Sequence, residues 1–138
     1  MYNKTYILPH MADTHKQIIG RIGEEAAGMF LKKHLFSIID TNYRRPWGEI
    51  DIIAQKGDCL RFVEVKTVSR ESLPTKQGDD YEPEDNIHPW KRQRLRRIIQ
   101  TYLAAKKYDG DWQVDSIAVY LNKEGIVLKI DWLEDILL

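Results

Sequence analysis

Cysteine is almost missing from this chain. Cys59 stands alone among 138 residues, so no intramolecular disulfide can form and the paired-cysteine spacings of zinc sites are excluded. By the burial habits of free thiols, Cys59 reads as a small apolar strand residue. Long apolar runs are also lacking: none approaches the roughly 18 residues of a membrane span. The N-terminus has no basic start, apolar run and small-residue cleavage site of the secretory kind. These absences predict a cytoplasmic protein with no membrane partner. An excess of charge of one sign is missing too, since 21 Lys and Arg balance 21 Asp and Glu. Any affinity for nucleic acid must therefore come from where the charges sit.

What is present suits one folded domain. Hydrophobic residues make up 43% and charged residues 30%, which excludes wholesale disorder. A chain of this length can bury a core that needs neither disulfides nor a structural metal. Residues 1–13 show no periodicity and read as an N-terminal arm; residues 14–138 read as a single domain.

From about Thr14 to His34, Ile18, Ile19, Ile22, Ala26, Met29 and Phe30 recur at three- and four-residue spacing, which predicts a helix with that face buried. Phe36 to Tyr43 is rich in β-branched and aromatic residues and predicts a strand. Two more strands follow, Glu49 to Ala54 and Cys59 to Lys66, divided by Lys56-Gly57-Asp58. Thr67 to His88 is polar, with acids at Asp79, Asp80, Glu82, Glu84 and Asp85, and reads as a long loop. Pro89 suits the first turn of a second helix, with apolar positions Leu95, Ile98, Ile99, Tyr102 and Leu103 and a stop at Gly110. Strands at Trp112 to Leu121 and Ile126 to Trp132 close the chain, joined by a turn at Asn122 to Gly125. The tail from Leu133 to Leu138 reads as an added helical turn. The order α-β-β-β-α-β-β predicts an α/β fold: a mixed central sheet of about five strands flanked by helices.

Gly57-Asp58 can form a two-residue hairpin loop, with glycine where a type II′ turn needs it. In that register Asp51 lies opposite Glu64 and Glu49 opposite Lys66, all four on one face, with Ile50, Ile52, Val63 and Val65 on the other. Like charges opposed across a sheet are destabilising. Either both acids are solvated and Lys66 bonds Glu49, or a hard divalent cation such as Mg²⁺ compensates them. The companions Ile53, Leu60 and Phe62 imply a covered face and favour the cation.

Gly48-Glu49-Ile50-Asp51 followed by Phe62-Val63-Glu64-Val65-Lys66 resembles the PD-(D/E)xK nuclease superfamily, and more narrowly the YraN-like family of uncharacterised bacterial proteins. Gly20-Arg21-Ile22-Gly23-Glu24-Glu25-Ala26 resembles that family's first-helix signature, and Asn42-Tyr43-Arg44 the segment before its first catalytic strand. The likeness runs from about Gly20 to Asp115. It implies a restriction endonuclease-like fold and phosphodiester cleavage with Mg²⁺ or Mn²⁺. Asp51 and Glu64 would be metal ligands, Lys66 the residue that holds or activates water, and Glu24 a further acid of the metal sphere. Ile50 stands where the superfamily name has proline, which leaves the weight on Asp51 and the downstream triplet. Similarity to archaeal Holliday junction resolvases implies a homodimer.

Lys91, Arg92, Arg94, Arg96 and Arg97 crowd the start of the second helix with no acid among them, and Arg44 and Arg45 precede the metal strand. Such a cluster can neutralise backbone phosphates; its alternative is a solvated face balanced by the acidic loop. Trp47 and Trp90 lie beside these cations, as base-stacking or as core and rim residues. Asp115 interrupts an apolar strand and reads as a hydrogen-bonded structural acid. His10, His15, His34 and His88 form no nucleophile-base set. The sequence therefore carries three readings: a metal-dependent endonuclease acting on DNA, with branched, single-stranded or processed regions as its targets; a DNA-binding module that cleaves nothing; and an interaction protein whose acidic loop engages a basic partner.

Overall fold

The computed structural model describes residues 14–70 and 89–138. The arm at residues 1–13 and residues 71–88 of the acidic loop lie outside the described residues. Thr14 starts helix α1 (His15–Lys33) with a reciprocal capping box. Its hydroxyl accepts the Gln17 N–H at 3.1 Å, and the Gln17 side-chain oxygen accepts the Thr14 N–H at 2.9 Å. A cap of this kind contributes about 1 kcal/mol.

The buried line of α1 is Gly23, Ala27 and Leu31, and not the bulky stripe that periodicity suggests. Ile18 is 39% and Met29 62% exposed, while Ile19, Ile22, Ala26 and Phe30 flank the contact. The reason is a close approach. A β-carbon on Gly23 would stand 1.9 Å from the Thr67 hydroxyl oxygen, so only glycine lets the helix settle this near the sheet.

Five strands form that sheet: β1 (Ser37–Arg45), β2 (Gly48–Lys56), β3 (Cys59–Ser69), β4 (Asp111–Leu121) and β5 (Val127–Leu133), hydrogen-bonded in that order. All neighbours are antiparallel except β3 and β4, which run parallel and are joined through helix α2 (Pro89–Lys106). Strand β3 does not stop at Lys66. Thr67, Val68 and Ser69 pair with Val119, Tyr120 and Leu121, so the loop begins later than its polarity suggests.

Each face of the sheet is covered by one helix. Helix α1 packs on Ile52, Ala54, Val63, Ile117, Val119 and Leu121. Helix α2 lays Leu95, Ile98, Ile99 and Tyr102 over Ile53, Leu60, Phe62 and Val114. Burying side chains of this size contributes about 1.5–3 kcal/mol each, which outweighs the weak helix propensity of the β-branched residues in α2.

The C-terminal tail is not helical. Asp135 adopts a φ of 56°, and its N–H donates to Asp115 Oδ1 at 2.9 Å, while the Ile136 N–H donates to the Val114 carbonyl at 2.8 Å. These bonds to β4 take the place of a helical turn. Asp115 is fully buried and also accepts from Arg61 at 2.8 Å, Gln113 at 3.0 Å and the Trp132 indole at 3.0 Å. It is a structural acid with both oxygens engaged.

Candidate metal centre and nucleic-acid face

The β2–β3 hairpin keeps the expected register. Gly57 has a φ of 64°, and pairing runs from Lys56–Cys59 to Ile52–Val63. At the next position the strands part. Asp51 sends its carboxylate across the fork, where it accepts the Val65 N–H at 2.8 Å. From here β2 stays with β1, pairing Ile50 with Tyr43 and Glu49 with Arg44. Asn42, between Tyr43 and Thr41, adopts a φ of 52°.

This local irregularity changes two expectations. Ile50 packs on the α2 side with Tyr43 and Ile53, away from Ile52 and Val63. Simple alternation assumed a regular strand, and β2 is not regular at Asp51. Glu49 takes Arg44 as its ion partner at 3.2 Å, where the hairpin register extended past the fork would have given it Lys66.

Glu24, Glu49 and Asp51 come together, with one carboxylate oxygen of each within 4.8 Å of the others. The Gly23–Thr67 contact presses α1 onto β3 and so delivers Glu24. Glu49, Asp51, Glu64 and Lys66 line a cavity of about 430 Å³ together with Trp90, Lys91 and Arg94 of α2. Asp51 is reached from the other side as well, where it shares two cavities with Glu24 and Asn42. Glu64 stands apart from the three-acid group; its Oε2 lies 2.6 Å from the Lys91 ammonium. Glu49 lies outside the metal set that the sequence resemblance implies, although the Glu49-x-Asp51 alternation carries the signal.

The electrostatics describe a site short of positive charge. Burial, then the Glu64 carboxylate, pushes the Asp51 carboxyl up to about 8, against the lowering effect of the Val65 N–H. Glu24 is also raised, first by burial and then by Glu49, with Arg44 and Asn42 opposing. Lys66 is lowered, first by burial and then by Lys91, with Glu64 opposing. Three carboxylates, one from α1 and two from β2, are the hard oxygen donors that Mg²⁺ or Mn²⁺ takes. Glu24, Glu49 and Asp51, each offering one oxygen, would fit such an ion.

The cations of α2 lie beside the cavity. Arg92, Arg94, Arg96 and Arg97 are exposed and Lys91 is half-buried. Arg94 Nε donates to the Trp47 carbonyl at 3.4 Å, and the Arg97 guanidinium lies 4.9 Å from the Trp47 ring centre. Trp47 packs against the core and donates to the Thr101 hydroxyl at 3.0 Å, which makes it a rim residue. Arg45 stacks on Tyr43 at 4.3 Å and Arg44 holds Glu49. His15 is exposed at the start of α1, His34 hydrogen-bonds the Phe30 carbonyl at 2.8 Å, and His10 and His88 lie outside the described residues.

Comparison with known proteins returns one family. Residues 23–119 match the model of the uncharacterised protein family UPF0102, a span that holds every candidate residue named above. A UPF0102 protein of Dictyoglomus thermophilum is 39% identical over 115 residues, covering 83% of this chain and 90% of the relative. One from Desulfitobacterium hafniense is 37% identical over 126 residues, 88% and 98% of the two chains. One from Wolinella succinogenes reaches 42% over 98 residues, 71% and 82%.

Proposed function

This chain belongs to the uncharacterised protein family UPF0102, the YraN-like family that its sequence resembles, and from that premise we propose that it is a Mg²⁺- or Mn²⁺-dependent endonuclease hydrolysing phosphodiester bonds in DNA. The observation that carries the reading is the meeting of Glu24, Glu49 and Asp51 within 4.8 Å, beside Glu64 and Lys66 and under a helix whose exposed face is cationic. The superfamily resemblance of the Asp51 and Glu64-x-Lys66 segments supports it.

A divalent ion bound there would lower the pKa of a water and polarise the phosphate. Asp51, Glu49 and Glu24 would hold it, with Glu64 completing the sphere once Lys91 turns to a phosphate. Lys66 stands in the same cavity, where its ammonium would orient the attacking water and face the charge that develops on the phosphoryl oxygens. Arg92, Arg94 and Arg97 would bind flanking phosphates, with Arg44 and Arg45 as further phosphate contacts.

A second reading, a module that binds DNA without cleaving it, is favoured by the Lys91–Glu64 pair at 2.6 Å, which already supplies Glu64 with a cation. Incubation of the protein with duplex, single-stranded, flapped and four-way DNA, with and without Mg²⁺ or Mn²⁺, decides between them. Cleavage that needs the metal and is lost in Asp51→Asn supports the nuclease. Binding with no cleavage of any form supports the module.

A further inference from the structure

Trp90 is 55% exposed and is the residue common to two cavities on α2. On one side is the cavity of Glu49, Asp51, Glu64 and Lys66, about 430 Å³. On the other is a cavity of about 610 Å³ lined by Pro89, Trp90, Arg92, Gln93, Arg96 and Leu138. Arg92 and Arg96 are one helical turn apart, both exposed, and no acid is among the described residues that line that second cavity. The Arg94 guanidinium lies 5.7 Å from the Trp90 ring centre. An indole thus stands between a carboxylate-lysine site and a pair of arginines.

The geometry points to Trp90 as a stacking platform for an unpaired DNA base, with the phosphates on either side of that nucleotide held by Arg92 and Arg96 and by the Lys66 cavity. The inference rests on the nucleic-acid part of the reading above, and it names the substrate class: DNA with a single-stranded segment next to the bond at the acid site. Charge complementarity selects nucleic acid as the occupant, because the cavity joins cations to an aromatic face. The indole then selects unpaired strands. Bases in a duplex are stacked on one another and offer only their edges in the grooves, whereas a splayed base offers its whole π face.

The test measures equilibrium binding of labelled blunt duplex, flapped duplex and single-stranded oligothymidine in EDTA, where no metal-dependent chemistry occurs. Wild-type protein should prefer the flapped and single-stranded forms. Trp90→Ala should weaken these by about tenfold, the loss expected for one stacked base, and leave blunt duplex nearly unchanged. Trp90→Phe, which keeps an aromatic face, should retain most of the preference. Equal losses on all three DNAs, no loss on any, or a Trp90→Phe protein as weak as Trp90→Ala would overturn the proposal. Because cleavage plays no part, a protein that never cuts DNA but shows this pattern sinks the nuclease reading and sustains the stacking site; a protein that cuts blunt and flapped DNA alike, indifferent to Trp90, does the reverse.

Discussion

Replacing Asp51 by asparagine should stabilise the metal-free protein at alkaline pH and flatten its pH dependence. Folding raises the Asp51 carboxyl from its ordinary 3.8 to about 8. Below the lower value the group is protonated in both folded and unfolded chains and contributes nothing. Between the two values folding takes up a proton, so stability falls as pH rises; above the upper value the full penalty of a buried, repelled carboxylate is present. At about 1.4 kcal/mol per pKa unit the ceiling is on the order of 5 kcal/mol, and water entering the open cavity reduces it to about half by raising the effective dielectric. Asparagine keeps an oxygen that can accept the Val65 N–H and removes the charge. Thermal unfolding in EDTA should show the wild-type midpoint falling by roughly 10 °C more than that of Asp51→Asn between pH 5 and pH 8. Added Mn²⁺ at pH 8 should restore the wild type and leave the variant unmoved. Parallel midpoint curves for the two proteins would refute the electrostatic account of the site.

On the proposed function, Lys66→Ala should abolish metal-dependent cleavage while DNA affinity changes less than about threefold, since the α2 cations would supply most phosphate contacts; gel cleavage and anisotropy read the two separately. Removing Arg92 and Arg94 together should weaken binding and flatten its salt dependence by up to about two units of log–log slope, near 0.9 for each lost phosphate contact. An affinity series in NaCl with an unchanged slope would count against the cationic face. Gly23→Ala should cost about 1–3 kcal/mol in chemical denaturation, the usual range for overpacking, because its β-carbon would sit 1.9 Å from Thr67 Oγ1. Thr67→Gly in the same chain should recover part of the loss, and no recovery would place the strain elsewhere.

Much of this fold is legible in the sequence because its elements announce themselves by period and by punctuation. Apolar spacing opens the first helix near Thr14, Pro89 marks the start of the second, and Gly57-Asp58 fixes a hairpin register that holds through Ile52–Val63. What could not be read depends on how elements approach each other. Hydrophobic periodicity favours large residues and so picks Ile18 and Met29 over the small line of Gly23, Ala27 and Leu31, whose smallness is the contact. Strand alternation misplaces Ile50, because the parting of β2 from β3 is a tertiary event with no local spelling. For the same reason the hairpin register, extended, sets Glu49 opposite Lys66 across a ladder that ends one residue short of Asp51. The tail's path was hidden too, since Asp135 and Ile136 find their acceptors on β4, some twenty residues back in the chain.

The bond from the Val65 N–H to Asp51 gives this aspartate two employers. Folding demands an acceptor at the fork, because an amide stranded there without one costs about 1–3 kcal/mol; it has no use for the charge. Under the proposed function, only chemistry asks for the carboxylate. A lineage released from cleavage would therefore drift at position 51 toward asparagine, which satisfies the sheet and relieves the repulsion, long before it reached alanine. Among chains sharing this fork, the choice between amide and acid at this position, more than the mere presence of a polar residue, would record which ones answer to a metal.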